Sequence, residues 1–337
     1  MKFFKSFLMS AKAEVGQMST AVTNSGNNVK LTNAVRVVYS KEIEYKALPV
    51  MRFLQFANVK TELGVQPGLT IQMLTYDNLK LGGSLVEGTN MQTQALSSSM
   101  KSITVEEYGN AVGVSELLLQ SSFDDIMAHA TNLLSRDYAL VVDCELRDTA
   151  LSGTNVIYAR TKDGAKVEAR ENLTEDCLLS VATIKDGVEI LATNNAPKYN
   201  GTNWICFVHP HQSRGLRDDR AWIEASHYGK PEQLFTGEIG RIDDVIFIET
   251  TLMCNGAASE HDPAYKSELK KGEGSNQTHV YQSVLFGDKF YAIAFGLPVE
   301  LRDNGIEDFG RKHGLAWYSI FGTGLLHDEY GVVIETA

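Results

Sequence analysis

Apolar residues recur along the chain in distinct rhythms, and each rhythm predicts a different element. The clearest is helical. Across residues 115–151, Leu119, Phe123, Ile126, Ala130, Leu134, Tyr138, Val141 and Cys144 return at close to 3.6-residue spacing, no Gly or Pro intervenes, and Gly153 supplies a stop. A continuous helix of that span is about 55 Å long, longer than an ordinary domain is wide. Ser115 is its expected N-cap, with Glu116 in the first turn. A second helix is predicted over 174–194, capped by Thr174. Near the start, Phe4, Phe7, Ala11, Val15 and Met18 repeat at the same spacing and predict a short amphipathic arm that packs against protein. The polar stretch 19–33 then reads as a linker, and 35–56 as a helix ending near Leu48 followed by a second short one after Pro49.

Alternation marks strands. Leu69, Ile71 and Met73 form one, and Met100, Ile103 and Val105 another. Between them, residues 77–99 are rich in Gly, Ser, Thr, Asn and Gln and cannot bury a core of their own. A polar excursion bracketed by two strands predicts a projecting hairpin. Further on, "NWICFVHP" at 203–210 reads as a buried strand and "QSRGLRDDRAWIEA" at 212–225 as an amphipathic helix. "GEIGRIDDVIFIET" at 237–250 reads as a turn plus a strand, and 255–279 as a polar surface insertion. Four more strand-like runs close the chain: "VYQSVLFG", "FYAIAFG", "AWYSIFGTGLL" and "GVVIETA". Strands flank the helices instead of alternating regularly with them, so the predicted class is mixed α+β.

Composition narrows the field. At 337 residues the chain exceeds one average domain, and Lys+Arg of 31 against Asp+Glu of 42 leaves a formal charge of -11, the wrong sign for gripping nucleic acid over a broad face. The four cysteines, Cys144, Cys177, Cys206 and Cys254, show no C-x-x-C spacing, so reduced thiols are expected. No stretch reaches the 18 or so apolar residues of a membrane span, and the apolar run at 7–9 is too short for a signal peptide.

Several clusters invite chemistry. His209 and His211, two apart after a strand, could share a metal ion with Asp218 or Asp219 in a hydrolase; the competing reading is a strand ending at Val208 and a surface helix beginning. Arg214, Arg217 and Arg220 could hold a phosphate, or pair with the interleaved Asp218 and Asp219 on a solvated face. Asp124-Asp125 and Asp243-Asp244 have the look of paired catalytic carboxylates, although Asp124 and Asp125 also suit the start of a helix. There is no G-x-S-x-G, and neither Gly82-Gly83 nor Gly322-Thr323-Gly324 belongs to a phosphate loop. No catalytic, cofactor or metal site is assigned, and the chain is not expected to be an enzyme.

Four stretches in order, "LVEGTN" at 85–90, "VEEYGNAVGVSELL" at 105–118, "FVHPHQSRGLRDDRAWIEA" at 207–225 and "GEIGRIDDVIFIET" at 237–250, resemble the major capsid proteins of tailed bacteriophages, with the Hong Kong 97 fold, and in wording the sub-family typified by coliphage N-four. The resemblance spans roughly residues 35–337. It implies an N-terminal arm at 1–66, an E-loop hairpin at 67–105, and a P-domain at 106–172 with its spine helix at 115–151. An A-domain would follow at 173–295, and strands returning to the P-domain at 296–337. It implies hexamers and pentamers of one chain tiling an icosahedral shell around double-stranded DNA. Such a shell has a portal, and scaffolding or decoration, where used, would come from separate chains. Assembly would take place in the host bacterial cytoplasm, with no cofactor and no membrane. On that reading Lys80, Leu85, Glu87 and Lys101 of the hairpin are intersubunit contacts, and Arg214, Arg217, Asp218 and Asp219 are ionic assembly contacts. Lys80 and Lys101 flank the loop, but no partner Asn or catalytic Glu is evident and no covalent cross-link is predicted. An encapsulin-like nanocompartment shell, enclosing an enzyme instead of DNA, is the alternative.

Overall fold

A computed structural model describes residues 52–61, 69–76, 79–84, 87–88, 90–91, 93–122, 125–223, 238–271 and 278–337, all within one unit, Leu48–Ala337. The expected arm, linker and helix before Leu48 lie outside the described residues. In chain order come β1 (Asn58–Lys60), β2 (Thr70–Tyr76), β3 (Ser98–Thr104), β4 (Glu106–Ser115), α1 (Glu116–Ser121), α2 (Ile126–Leu151), β5 (Val156–Tyr158), α3 (Val181–Thr193), β6 (Trp204–Val208) and α4 (Pro210–Asp218). The second half adds β7 (Glu238–Ile242), β8 (Val245–Glu249), β9 (Lys270–Lys271), β10 (Thr278–His279), β11 (Tyr281–Phe286), β12 (Tyr291–Glu307), β13 (Lys312–Leu325) and β14 (Gly331–Thr336).

Two sheets carry the body. The larger has six strands in the order β5-β14-β11-β6-β8-β7, and the smaller has four in the order β1-β12-β13-β4. β6, β11 and β14 lie inside the larger sheet and are apolar on both faces because both faces are covered. On one side Ile184 and Leu191 of α3 and Leu216 of α4 meet Cys206, Val208, Phe247, Leu285 and Ile334. On the other, Val142, Leu146 and Ala150 of α2, together with Phe53 and Phe56, meet Ile205, Phe207, Ile246, Val284 and Phe286. The outer part of α2 instead packs Ala130 and Leu134 onto Leu315 and Trp317 of the smaller sheet. Asp137 on the same helix accepts hydrogen bonds from the Trp317 indole at 2.8 Å and Asn110 at 2.9 Å.

The predicted helix at 115–151 is two helices. Ser115 caps α1, accepting the Leu118 amide at 3.3 Å, but the chain turns extended at Ser122, and Asp125 caps α2 by accepting the Ala128 amide at 3.2 Å. Ser and Asp compete with helix by bonding nearby amides, and apolar periodicity alone does not register that competition. The 26 residues of α2 span about 39 Å. The helix expected from Thr174 begins at Val181 with Ser180 as cap; Thr174 instead closes a turn, its carbonyl accepting the Cys177 amide at 2.8 Å. Residues 237–250 form two strands, not one. Asp243 and Asp244 join them with φ of 48° and 61°, the geometry of a two-residue hairpin turn that Asp tolerates. These carboxylates reach Lys185 at 3.8 Å and Lys198 at 2.7 Å and are not a catalytic pair.

Two long strands exceed expectation. β12 runs 17 residues, through Pro298, and pairs along β13 with register shifts between Phe295 and Leu297, Leu297 and Glu300, and Asp303 and Ile306. Bulges let a strand pass residues that would otherwise end it. β4, beyond the strand expected at Met100–Val105, pairs with β13 over ten residues, so the three strands form an arm beside α2. Of the strand-like runs that close the chain, those in β12 and β13 belong to the smaller sheet. β14 crosses to the larger sheet between β5 and β11, where its fully buried run needs cover on both faces. The polar stretch 255–279 is anchored, with Asn255, Ala264 and Leu269 buried.

Candidate assembly surfaces

β2 and β3 pair antiparallel from Thr70 opposite Thr104 to Tyr76 opposite Ser98, the hairpin that the polar interval predicted. Its base is fixed from the sequence upward. Ile71 and Ile103 are opposite one another and pack with Val105 on Ala292, Ala294 and Leu326. Gly322 and Gly324 of β13 let the hairpin come so close. A Cβ on Gly322 would stand 2.1 Å from the Thr104 carbonyl oxygen, and one on Gly324 would stand 2.8 Å from the Ile103 side chain. That is the use of the Gly-Thr-Gly stretch.

Beyond the base the apolar side chains turn outward. Leu74 and Met100 face each other across the ladder, Tyr76 lies two residues on, and all three are exposed. Leu69, Leu79, Leu81, Met91 and Leu96 are exposed as well, with Leu81 at 99 %. A row of large apolar residues on a polar projection is the mark of a surface awaiting a partner. The contact residues expected for this loop are Lys80, Leu85, Glu87 and Lys101, one apolar and three charged. Lys80 is exposed, and its backbone is clasped by the Gln94 amide, at 2.9 Å to its N–H and 3.2 Å to its carbonyl. Glu87 is exposed in a turn with Gly88 at φ 81°, and Leu85 lies outside the described residues. Lys101 sits on the stem opposite Met73. Burial holds the nearby His327 imidazole below its ordinary value, and the positive charges of Lys101 and Lys289 add to this against Glu329. The isolated leucines and methionines within a polar segment were the available signal for the apolar row.

A second exposed apolar group lies at the end of the three-stranded arm. Asp308 and Phe309, at the turn between β12 and β13, have φ of 50° and 54°, and the Phe309 side chain is fully exposed. The Glu116 amide bonds the Arg311 carbonyl at 2.9 Å there, and Glu116 meets His313 at 2.7 Å, which places the exposed Leu117 and Leu118 of α1 beside that turn. Hydrogen bonds from the Gln120 side chain and then from His313 hold the Glu116 carboxyl below its usual value.

The histidine pair resolves as a helix start. His209 is the N-cap of α4 and its Nδ1 accepts the His211 amide at 3.1 Å; Pro210 takes the first helical position, and Gln212 Oε1 accepts the His209 amide at 3.1 Å. The His211 ring stacks on Tyr281 with centroids 4.2 Å apart. Burial pushes the His209 imidazole down to about 4, with His211 adding, and burial also lowers His211. Among the described residues no three His, Cys, Asp or Glu side chains gather as metal ligands, and Asp219 points elsewhere: its carboxylate accepts the Val181 amide at 2.9 Å and the Ala221 amide at 3.0 Å. Arg217 reaches Glu249 of the same chain at 3.3 Å, while Arg214 and Asp218 are exposed on the helix. The four residues expected as ionic contacts are therefore split, two engaged within the chain and two facing solvent.

A sheet-backed long helix, a projecting hairpin and a three-stranded arm define the Hong Kong 97-like capsid fold, and solved structures share it. The capsid of cyanophage Pam1 matches with a TM-score of 0.72 at 13% identity, over 93% of this chain and 99% of that one. The capsid of Helicobacter pylori bacteriophage KHP30 matches at 0.67 and 14%, over 93% and 98%, and that of Ralstonia phage GP4 at 0.63 and 16%, over 93% and 97%. No curated protein matches. Residues 147–327, more than half of the chain, match the family described as phage capsid protein, and the chain belongs to that family. It is a structural capsid protein and not an enzyme.

Proposed function

We propose that this chain is the repeating subunit of a tailed-phage head, joining copies of itself as hexamers and pentamers into an icosahedral shell around packaged double-stranded DNA. The observation that carries the reading is the β2–β3 hairpin, whose outward apolar side chains stand exposed among the described residues. Lying across a neighbouring subunit would bury them, and head-to-tail contacts of this kind close into rings and shells. The hairpin at 67–105 is the E-loop in this proposal. The arm of β4, β12 and β13 with α2 is the P-domain, and most of the six-stranded sheet with α3 and α4 is the A-domain. Lys80, Leu85, Glu87 and Lys101 travel with the hairpin as contact residues, and Arg214, Arg217, Asp218 and Asp219 as ionic ones. The four sequence stretches support the coliphage N-four type within the family. A charge of -11 suits a thin wall that encloses DNA without clamping it. The capsid of the virion is the resulting location, with portal and any scaffolding supplied by other chains after synthesis in the host cytoplasm.

Deleting residues 77–99 tests the reading. Circular dichroism and the urea midpoint should stay close to those of the full chain, while electron microscopy shows rings or monomers and no shells. Full-size particles from the deletion variant would refute the role given to the hairpin. Particles from infected cells should hold double-stranded DNA; a protein cargo in its place would point to a nanocompartment.

A further inference from the structure

The dipeptide Asn-Gly occurs three times, at Asn200-Gly201, Asn255-Gly256 and Asn304-Gly305, and the fold treats the three differently. Asn-Gly is open to one spontaneous reaction, in which the glycine nitrogen attacks the asparagine Cγ. The absent Cβ leaves that nitrogen accessible, but it must give up its proton to react. Where the glycine N–H points therefore separates the three sites. At Asn255 the Gly256 N–H donates to the Val280 carbonyl at 3.0 Å. Asn255 is 3 % exposed; its Oδ1 accepts the Ala257 and Ala258 amides at 3.1 and 2.7 Å, and its Nδ2 donates to the Met253 carbonyl at 3.2 Å. At Asn200 a tight turn with φ of 51° and 72° directs the Gly201 N–H to the Lys198 carbonyl at 3.1 Å. A backbone carbonyl accepts such a hydrogen bond but does not take the proton.

The third site differs in both acceptor and backbone. The Gly305 N–H donates to Asp303 Oδ1 at 2.8 Å, and a carboxylate is a group that can take a proton. Asp303 is opposite Leu315 and Ile306 is opposite His313, so Asn304 and Gly305 form a bulge facing the single residue Gly314. A bulge interrupts the ladder, so a ring can close here at less cost to strand pairing. Asn304 is exposed, Gly305 has φ of 75°, and a Cβ on Gly305 would meet nothing within 4 Å. We propose that Asn304-Gly305 is a self-modifying site, at which the Gly305 nitrogen closes on the Asn304 side chain while Asp303 takes its proton. The N–Cγ bond forms, the Cγ–Nδ2 bond breaks, and Nδ2 leaves as ammonia carrying the proton that Asp303 relays. Water then opens the five-membered imide at either carbonyl, giving aspartate or isoaspartate. Each event adds one negative charge to the arm, and the isoaspartate product lengthens the backbone by one methylene at the bulge.

The test is peptide mass spectrometry of the folded full chain held for weeks near neutral pH, reading the mass gain of about 1 Da that replaces an amide by an acid. Trypsin cuts after Arg302 and Arg311, isolating residues 303–311 with Asn304 as their one asparagine. Conversion at Asn304 should run about tenfold faster than at Asn255 and at least about threefold faster than at Asn200, below the ~10²-fold of an optimised proton acceptor. In urea the three rates should converge, because the dipeptide is the same. A rate at Asn304 no higher than at Asn200 in the folded chain overturns the site, as does an ordering that persists in urea. Asp303→Asn, at an exposed position, keeps an oxygen for the Gly305 N–H but cannot take its proton. Conversion at Asn304, distinguished from residue 303 by fragment masses, should then fall about tenfold. An unchanged or faster rate in that variant overturns the part given to Asp303.

Discussion

His209 and His211 stand where a metal pair would be sought, and their geometry assigns them to a cap and a ring stack. That assignment has a pH signature. The folded imidazole of His209 sits near 4, below the unfolded value of about 6.5, so on acidification the unfolded chain takes up a proton that the folded chain refuses. Stability should therefore fall from about pH 6.5 to about pH 4 and level off below. Because the ring is only half-buried, screening leaves about 1–2 kcal/mol of this effect. Urea midpoints across that range should decline less steeply in His209→Asn, which keeps an N-cap acceptor without a titrating ring. A different outcome belongs to Glu335. It is fully buried in β14 and accepts from Arg170 at 2.7 Å and Gln282 at 2.9 Å. Removing the cation with Arg170→Met strands a buried charge and should cost about 3 kcal/mol at neutral pH. Denaturant melts of the two proteins at neutral pH would show the loss.

At the scale of elements, close approach is what makes the hairpin a built feature and not a loose loop. Gly322→Ala would drive a methyl into the Thr104 carbonyl at 2.1 Å, and since the neighbouring atoms are all backbone the hairpin base must shift. Loss of about 2–3 kcal/mol is expected, read from the thermal midpoint, with faster exchange in β2 and β3 than in β11. The hairpin itself was readable beforehand because a polar interval between two alternating runs has few other ways to fold. So were β6, β8, β11 and β14 of the larger sheet, whose apolar runs report burial. The gap between α1 and α2 was not, because Leu119, Ile126 and Ala130 keep helical spacing across it while Ser122 and Asp125 act through amide bonds that spacing does not encode. The part of β12 beyond Gly296 hid behind Pro298 and Gly305, which bulges carry, and β7 hid behind a turn whose two aspartates resembled chemistry. Among the site residues, charge was visible and burial was not. Arg217 and Asp219 stand out by their charge, and their bonds within the chain, to Glu249 and to the Val181 amide, are not encoded in spacing.

For the whole molecule the question is which force joins the copies. Each chain carries a formal -11, so neighbours repel, and the exposed pair of Arg214 and Asp218 contributes at most about 1 kcal/mol at a surface site. The hairpin offers more, since burying one large apolar side chain is worth about 1.5–3 kcal/mol and Leu74, Leu81, Leu96 and Met100 all stand exposed. Apolar burial against like-charge repulsion predicts that salt promotes assembly. Light scattering should show the concentration needed for shells falling as NaCl rises from about 0.05 M to about 0.5 M, where the Debye length drops below 10 Å. Leu81→Asp with Leu96→Asp, both on exposed positions, should leave the urea midpoint within about 0.5 kcal/mol of wild type yet abolish shells at any salt concentration. Arg214→Ala should change assembly little. If instead the arginine variant stops assembly and added salt dissolves the shells, the contacts are ionic and the apolar face of the hairpin is not the joint.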